Sequence, residues 1–110
     1  MPWVRLIDSE QVAPGAAVGA DVGDRELVVW RSASGRVCAM DARCPHQWSY
    51  LAAEGVVDGD ELVCGAHFWR FDAEGKGTKQ NLFGRRDEKA SIEVFATREL
   101  DGSVEADIPE

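Results

Sequence analysis

Apolar residues along this chain come in short runs, several of them alternating with polar ones, and nowhere in a sustained helical rhythm. Glu26-Leu27-Val28-Val29-Trp30-Arg31 and Arg36-Val37-Cys38-Ala39-Met40-Asp41 flank Ser34-Gly35, a pattern that predicts a β-hairpin. Ser91-Ile92-Glu93-Val94-Phe95-Ala96 and Ser103-Val104-Glu105-Ala106-Asp107-Ile108 alternate apolar and polar positions around Asp101-Gly102, which predicts half-buried antiparallel strands. Shorter strands are expected at Leu62-Val63-Cys64, after the Asp58-Gly59-Asp60 turn, at Trp69-Arg70-Phe71, and from Trp3. Gly23-Asp24 and Glu74-Gly75 are further reversal signals. No window of about 11 residues keeps a 3.6 period; a single helical turn is expected near 8–12, with Asp8 or Ser9 as its cap. The pattern predicts one all-β domain over residues 1–110, an antiparallel sandwich or barrel built from two or three small sheets of short strands. No repeat or low-complexity tract interrupts it.

Composition narrows the partners. Hydrophobic residues make up 45% of the 110 and charged residues 29%, which suits a globular fold. Twenty acids against 12 bases give a net charge of -8, so phosphate-rich partners are disfavoured: neither nucleic acid nor a membrane is expected, and basic protein faces are. The chain opens without a basic, apolar leader, and no apolar run approaches the roughly 18 to 20 residues of a membrane span. Three cysteines, an odd number, fit a reducing compartment better than a disulfide framework, so a soluble cytoplasmic protein is expected. Cys38 lies in an apolar strand and reads as a buried core thiol.

The chemistry is concentrated in Cys44-Pro45-His46 and Cys64-Gly65-Ala66-His67, separated by 17 residues. Two thiolates and two imidazoles in two mixed pairs amount to a four-ligand metal site. His46 and His67 are the only histidines, so no imidazole remains for acid–base catalysis at neutral pH. A single structural zinc ion takes such a donor set. Zinc sites, however, usually keep the cysteines in one pair and the histidines in the other. Mixed pairs suit a binuclear cluster with both cysteines on one iron and both histidines on the other. Both pairs fall where predicted strands end, so two loops, about 43–51 and 64–69, are expected to close over one centre at a tip.

Cys44-x-His46 and Cys64-x-x-His67, with Trp69-Arg70-Phe71-Asp72 and Gly75 downstream, resemble the Rieske iron–sulfur family, and in size the stand-alone Rieske-type ferredoxins. That resemblance implies a [2Fe-2S] cluster, Cys44 and Cys64 on the inner iron, and His46 and His67 on the outer one near solvent. It implies a monomeric one-electron carrier, not an enzyme, which takes electrons from a flavin-dependent ferredoxin reductase. The acceptor is a terminal aromatic-ring oxygenase, a ring-hydroxylating dioxygenase or a di-iron toluene monooxygenase, met transiently with electrostatic help. Cys44-Pro45-His46-Gln47 with Ala66-His67-x-Trp69-x-Phe71 is similar to the toluene-monooxygenase group. A Rieske oxygenase needs a further mononuclear iron on two histidines and a carboxylate; this sequence has no further histidines, and no second domain is expected. Two alternatives stand beside the carrier: a small Rieske-like subunit of a reductase such as nitrite reductase, and a zinc-stabilised interaction module.

The neighbours bear on tuning. High-potential relatives place a serine and a tyrosine two and four residues after the second ligand histidine; here those positions are Trp69 and Phe71, so a low potential is expected. Gly65 stands where the family commonly has proline, Phe68 where it has glycine, and Gln47-Trp48-Ser49-Tyr50 where it has glycine-alanine. Residues 78–90 lack the proline of the loop that usually covers the cluster. Trp48, Phe68 and Trp69 are each expected to pack beneath their own loop, the alternative being to screen the cluster or centre a docking face. Arg85-Arg86-Asp87-Glu88-Lys89 reads as a solvated loop, and Arg43 as a counter-charge to the reduced cluster or an exposed arginine.

Overall fold

The computed structural model describes residues 3–45, 48–65 and 68–108. Their short runs become twelve strands: β1 (Trp3–Asp8), β2 (Ala17–Gly19), β3 (Leu27–Arg31), β4 (Val37–Asp41), β5 (Gly55–Asp58), β6 (Glu61–Cys64), β7 (Arg70–Phe71), β8 (Gly77–Gln80), β9 (Arg86–Lys89), β10 (Val94–Phe95), β11 (Thr97–Leu100) and β12 (Ser103–Asp107). One helical turn, α1 (Leu51–Glu54), follows the first loop of the motif, and a 3₁₀ turn covers Ser9–Gln11. The strands form three antiparallel sheets, ordered β1-β12-β11, β10-β4-β3-β2 and β5-β6-β7-β8-β9. No helix among the described residues is long and apolar enough to cross a membrane.

The four-stranded sheet lies in the middle, and the sequence of β3 shows why. Leu27, Val28, Val29 and Trp30 are all buried, a continuous apolar run with no solvent face. Successive side chains point to opposite faces. Leu27 and Val29, with Ala39 of β4, join Phe95, Val104 and Ala106 in one core cluster. Val28 and Trp30, with Cys38 and Met40, join Leu62, Phe71, Cys44 and Cys64 in the other. The second cluster is the one that holds the motif's cysteines. Cys38 is 5% exposed, the core thiol expected of it, and burial pushes its pKa up.

The β3–β4 hairpin pairs from Leu27↔Asp41 to Arg31↔Val37, as expected. The C-terminal pairing differs. Only Val94 and Phe95 of 91–96 form a strand, and they join β4 through Val94↔Met40 and Phe95↔Ala39. The partner of β12 across Asp101-Gly102 is β11, whose Thr97-Arg98-Glu99-Leu100 is largely exposed at a sheet edge and so carries no apolar alternation to betray it. Residues 86–89, read as a solvated loop, form β9, paired with β8 from Gly77↔Lys89 to Gln80↔Arg86. The expected turn at 8–12 is present, but Asp8 makes no capping bond; its carboxylate pairs with Arg5. Across the five-stranded sheet Arg70 Nη1 reaches Asp58 at 2.9 Å and Glu61 at 3.2 Å, while Glu61 also receives Arg86. This ion-pair chain ties β5, β6, β7 and β9 together behind the second loop.

Candidate metal centre

Cys44 follows β4 and Cys64 ends β6, and both are fully buried. The two loops that leave them close in the same way. Each cysteine N–H donates to the carbonyl five residues on, Cys44 to Ser49 at 2.9 Å and Cys64 to Trp69 at 2.8 Å. The residue four positions on donates back to the cysteine carbonyl, Trp48 to Cys44 at 2.9 Å and Phe68 to Cys64 at 2.7 Å. To close so tightly the chain turns into the left-handed region at that residue, with φ of 64° at Trp48 and 63° at Phe68. Bulky residues are genuine outliers there. Phe68 is therefore a strained position, one that glycine would take without penalty.

The loops are also tied to each other. Leu51 N–H donates to Ala42 O at 2.7 Å, and Ala53 and Glu54 donate to Tyr50 O, which folds the end of the first loop into α1. The last carbonyl of that turn, Glu54 O, accepts from Gly65 N–H at 2.8 Å, directly after the second cysteine. A Cβ on residue 65 would stand 2.6 Å from Glu54 O, so the contact admits only glycine. The end of the first loop and the start of the second are thereby tied together.

Arg43 is engaged with Glu26 and the first loop. Its Nε and Nη2 grip the Glu26 carboxylate at 2.9 and 3.0 Å, and its Nη1 donates to Trp48 O at 3.3 Å. Its guanidinium lies 4.8 Å from the Tyr50 ring centroid. The side chain braces the first loop and its charge is matched by Glu26, whose carboxyl it holds below the usual carboxylate range. Glu26 carries no sequence signal of this role, because it lies 17 residues upstream, just before β3.

Trp69 packs beneath its loop as expected, at 9% exposure, with Lys89 Nζ 5.9 Å from its ring centroid. Trp48 and Phe68 do not: they are 68% and 64% exposed, because the left-handed turns point them out of the loops' own cores. His46 and His67 lie outside the described residues.

The described donors fit a sulfur-ligated metal group. Cys44 and Cys64 belong to one buried, largely apolar cluster with Leu51, Leu62, Trp69 and Phe71, and the three cysteines form no disulfide. Thiolates are the soft ligands that zinc and iron–sulfur centres take, so the two loop cysteines suit such a group, whereas Cys38 lies within β4 and packs as a core thiol. The N–H groups of Cys44, Trp48, Cys64, Gly65 and Phe68 are committed to backbone carbonyls. Phe71, fully buried, has no donor to add. Among these described residues, then, neither the five loop amides nor the Phe71 side chain is left to donate to a more negative centre.

Comparison with known proteins agrees with this geometry. The Rieske [2Fe-2S] domain family model matches residues 2–96. Cholesterol 7-desaturase nvd 1 of Ciona intestinalis is 43% identical over 74 residues, covering 67% of this chain and 16% of that protein, so the chain spans about a sixth of that relative. The ferredoxin of Sphingomonas yanoikuyae B1 matches with a TM-score of 0.79 at 25% identity, covering 98% of this chain and 100% of the ferredoxin. Apo dicamba monooxygenase matches with a TM-score of 0.84 at 24% identity over 96% of this chain and 32% of its own, a likeness of fold alone.

Proposed function

The chain belongs to the Rieske [2Fe-2S] domain family, whose domain carries a [2Fe-2S] cluster, and from that premise we propose that it is a one-electron carrier for an oxygenase system. Cys44 and Cys64 hold one iron and His46 and His67 the other. The bound cluster supplies reversible uptake of a single electron. The protein's own residues set the conditions for that uptake. The matched loops fix the two thiolates, Leu51, Leu62 and Phe71 pack with them in one buried cluster, and Phe71 brings no side-chain donor to favour the reduced, more negative state. A low, ferredoxin-type potential follows. The donor is a flavin-dependent reductase and the acceptor a terminal oxygenase. Three cysteines without a disulfide suit the cytoplasm.

The observation that carries this reading is the pair of identically closed loops, each bearing a buried thiol of one largely apolar cluster. Likeness to a ferredoxin in fold supports the carrier role. A second reading, the electron-supplying domain of a longer oxygenase, is favoured by the desaturase relative, in which the matched segment is 16% of the protein. The two differ in whether the acceptor iron sits on another chain.

Anaerobic titration of the purified, cluster-loaded protein tests the carrier reading. One electron per chain, two irons and two sulfides are expected, together with reduction by NADH through a flavin-dependent reductase. One zinc ion per chain and no electron uptake would refute it.

A further inference from the structure

The net charge points to basic partner faces, but the end of the molecule that bears the cluster loops is built otherwise. β8 pairs with β7 through Phe71↔Gly77 and Arg70↔Thr78, then runs two residues further to Gln80. At about 3.3 Å per residue, the β8–β9 hairpin therefore extends beyond the start of β7, alongside the segment that joins β7 to the Cys64 loop. Its tip is a closed turn. Asn81 N–H donates to Arg85 O at 2.7 Å, Gly84 N–H to Asn81 O at 3.1 Å, and Asn81 Oδ1 accepts from Phe83 and Arg85 N–H at 2.9 and 3.1 Å. This built turn holds Leu82 and Phe83 outward at 100% and 89% exposure, the two most exposed large apolar side chains among the described residues.

Around that tip the charge reverses. Residues 76–89 carry five bases against two acids in a chain of net charge -8. Three of the bases are engaged in the fold: Lys76 with Glu88, Arg86 with Glu61, and Lys89 over Trp69. Lys79 and Arg85 form no ion pair among the described residues. Charges more than about 8–10 Å away are largely screened at physiological salt, so an approaching partner meets the arm's field rather than the body's.

We propose that the β8–β9 arm is the partner-recognition element, and that it docks on a redox protein presenting an apolar pocket rimmed by carboxylates. Leu82 and Phe83 fill the pocket and Lys79 and Arg85 meet the rim. A protein is favoured over a bilayer because the arm stands beside the cluster loops, where an electron has to be exchanged. The inference rests on the electron-carrier reading.

The test uses the cluster-loaded protein, reduced with dithionite and freed of excess, mixed in a stopped-flow instrument with ferric cytochrome b5 as an acidic acceptor or ferric cytochrome c as a basic one. One electron leaves the protein and one reduces the haem iron, with no other reactant. With cytochrome b5 the rate constant is expected to fall as salt is raised. It should drop at least tenfold in Lys79→Glu/Arg85→Glu and at least threefold in Leu82→Ser/Phe83→Ser. The same charge variant should speed reaction with cytochrome c. Visible spectrum and midpoint potential should match the parent in every variant. A cytochrome b5 rate that rises with salt in the parent, or that moves less than twofold in the charge variant, overturns the proposal. So does sedimentation with phosphatidylserine vesicles, or self-association, that depends on Leu82 and Phe83. A protein that binds no cluster fails before any rate is read, and that failure belongs to the carrier reading instead.

Discussion

Trp48 and Phe68 occupy the same place in two loops of the same construction. Each donates its N–H to the carbonyl of the cysteine four residues before it, and each does so at a φ near +64°. The match holds although the histidine stands two residues after the cysteine in one loop and three in the other. Both side chains are largely exposed, so packing does not account for them. Strained conformations of this kind cost of order 1–3 kcal/mol and concentrate at functional sites.

The strain can be isolated by comparing two truncations at one position. Trp48→Gly and Trp48→Ala both remove the indole, but only glycine accepts the left-handed turn without penalty. The glycine variant is expected to be the more stable of the two by about 1 kcal/mol, with the same order for Phe68→Gly over Phe68→Ala. Urea midpoints of the cluster-loaded proteins measure it, and an alanine variant equal to or better than glycine at both positions contradicts the account.

Gly65 joins the loops through Glu54 O. In Gly65→Ala a methyl 2.6 Å from that oxygen must push the backbones apart. The variant is expected to lose most of its bound iron, with a stability loss of about 2 kcal/mol or more from the broken bond and displaced loop. Iron and sulfide analysis after purification decides it; full occupancy in Gly65→Ala would show that the tie is dispensable.

The strong features of fold and site were legible for physical reasons. The doubly buried β3, the Ser34-Gly35 hairpin and the positions of Cys44 and Cys64 at strand ends follow from apolar runs and turn residues. The β9 and β11 strands were not legible, because edge strands made of Arg, Asp, Glu, Lys and Thr, with Leu100 the one apolar residue, are held by backbone pairing and show no apolar period. Nor was the outward pose of Trp48 and Phe68, which depends on a left-handed turn that the identity of an aromatic residue argues against. Glu26's grip on Arg43 is a tertiary contact between distant segments and leaves no local trace.

Acid should weaken the fold through two matched pairs. Arg31, which donates to Glu99 at 2.7 and 3.2 Å, holds the Glu99 carboxyl below its ordinary range, and Arg43 does the same for Glu26. A depressed carboxyl contributes stability that is complete above its unfolded pKa of about 4.3 and is lost as pH falls through the folded value. Urea midpoints are therefore expected to decline below about pH 4.5. In Glu99→Gln, which lies on β11 away from the metal centre, the decline should be shallower and the neutral-pH stability lower. A parallel shift of the whole profile would count against this assignment.

Phe71 is fully buried in the cluster that holds both cysteines. Phe71→Tyr places a hydroxyl four residues beyond His67, where high-potential relatives carry one. A hydrogen bond to the reduced centre of about 1 kcal/mol corresponds to a rise of roughly 45 mV for a one-electron couple. Protein-film voltammetry of parent and variant should show that rise from a low starting value. A parent midpoint well above zero contradicts the low potential proposed here.

The central claim is that Cys44, His46, Cys64 and His67 share one two-iron cluster. Pulsed electron paramagnetic resonance of the reduced protein, prepared with ¹⁵N-labelled histidine alone, tests it most directly. The account predicts a reduced-cluster signal carrying hyperfine couplings from two imidazole nitrogens. A signal with no ¹⁵N coupling, as from an all-sulfur site, or no signal and one zinc per chain, would contradict it.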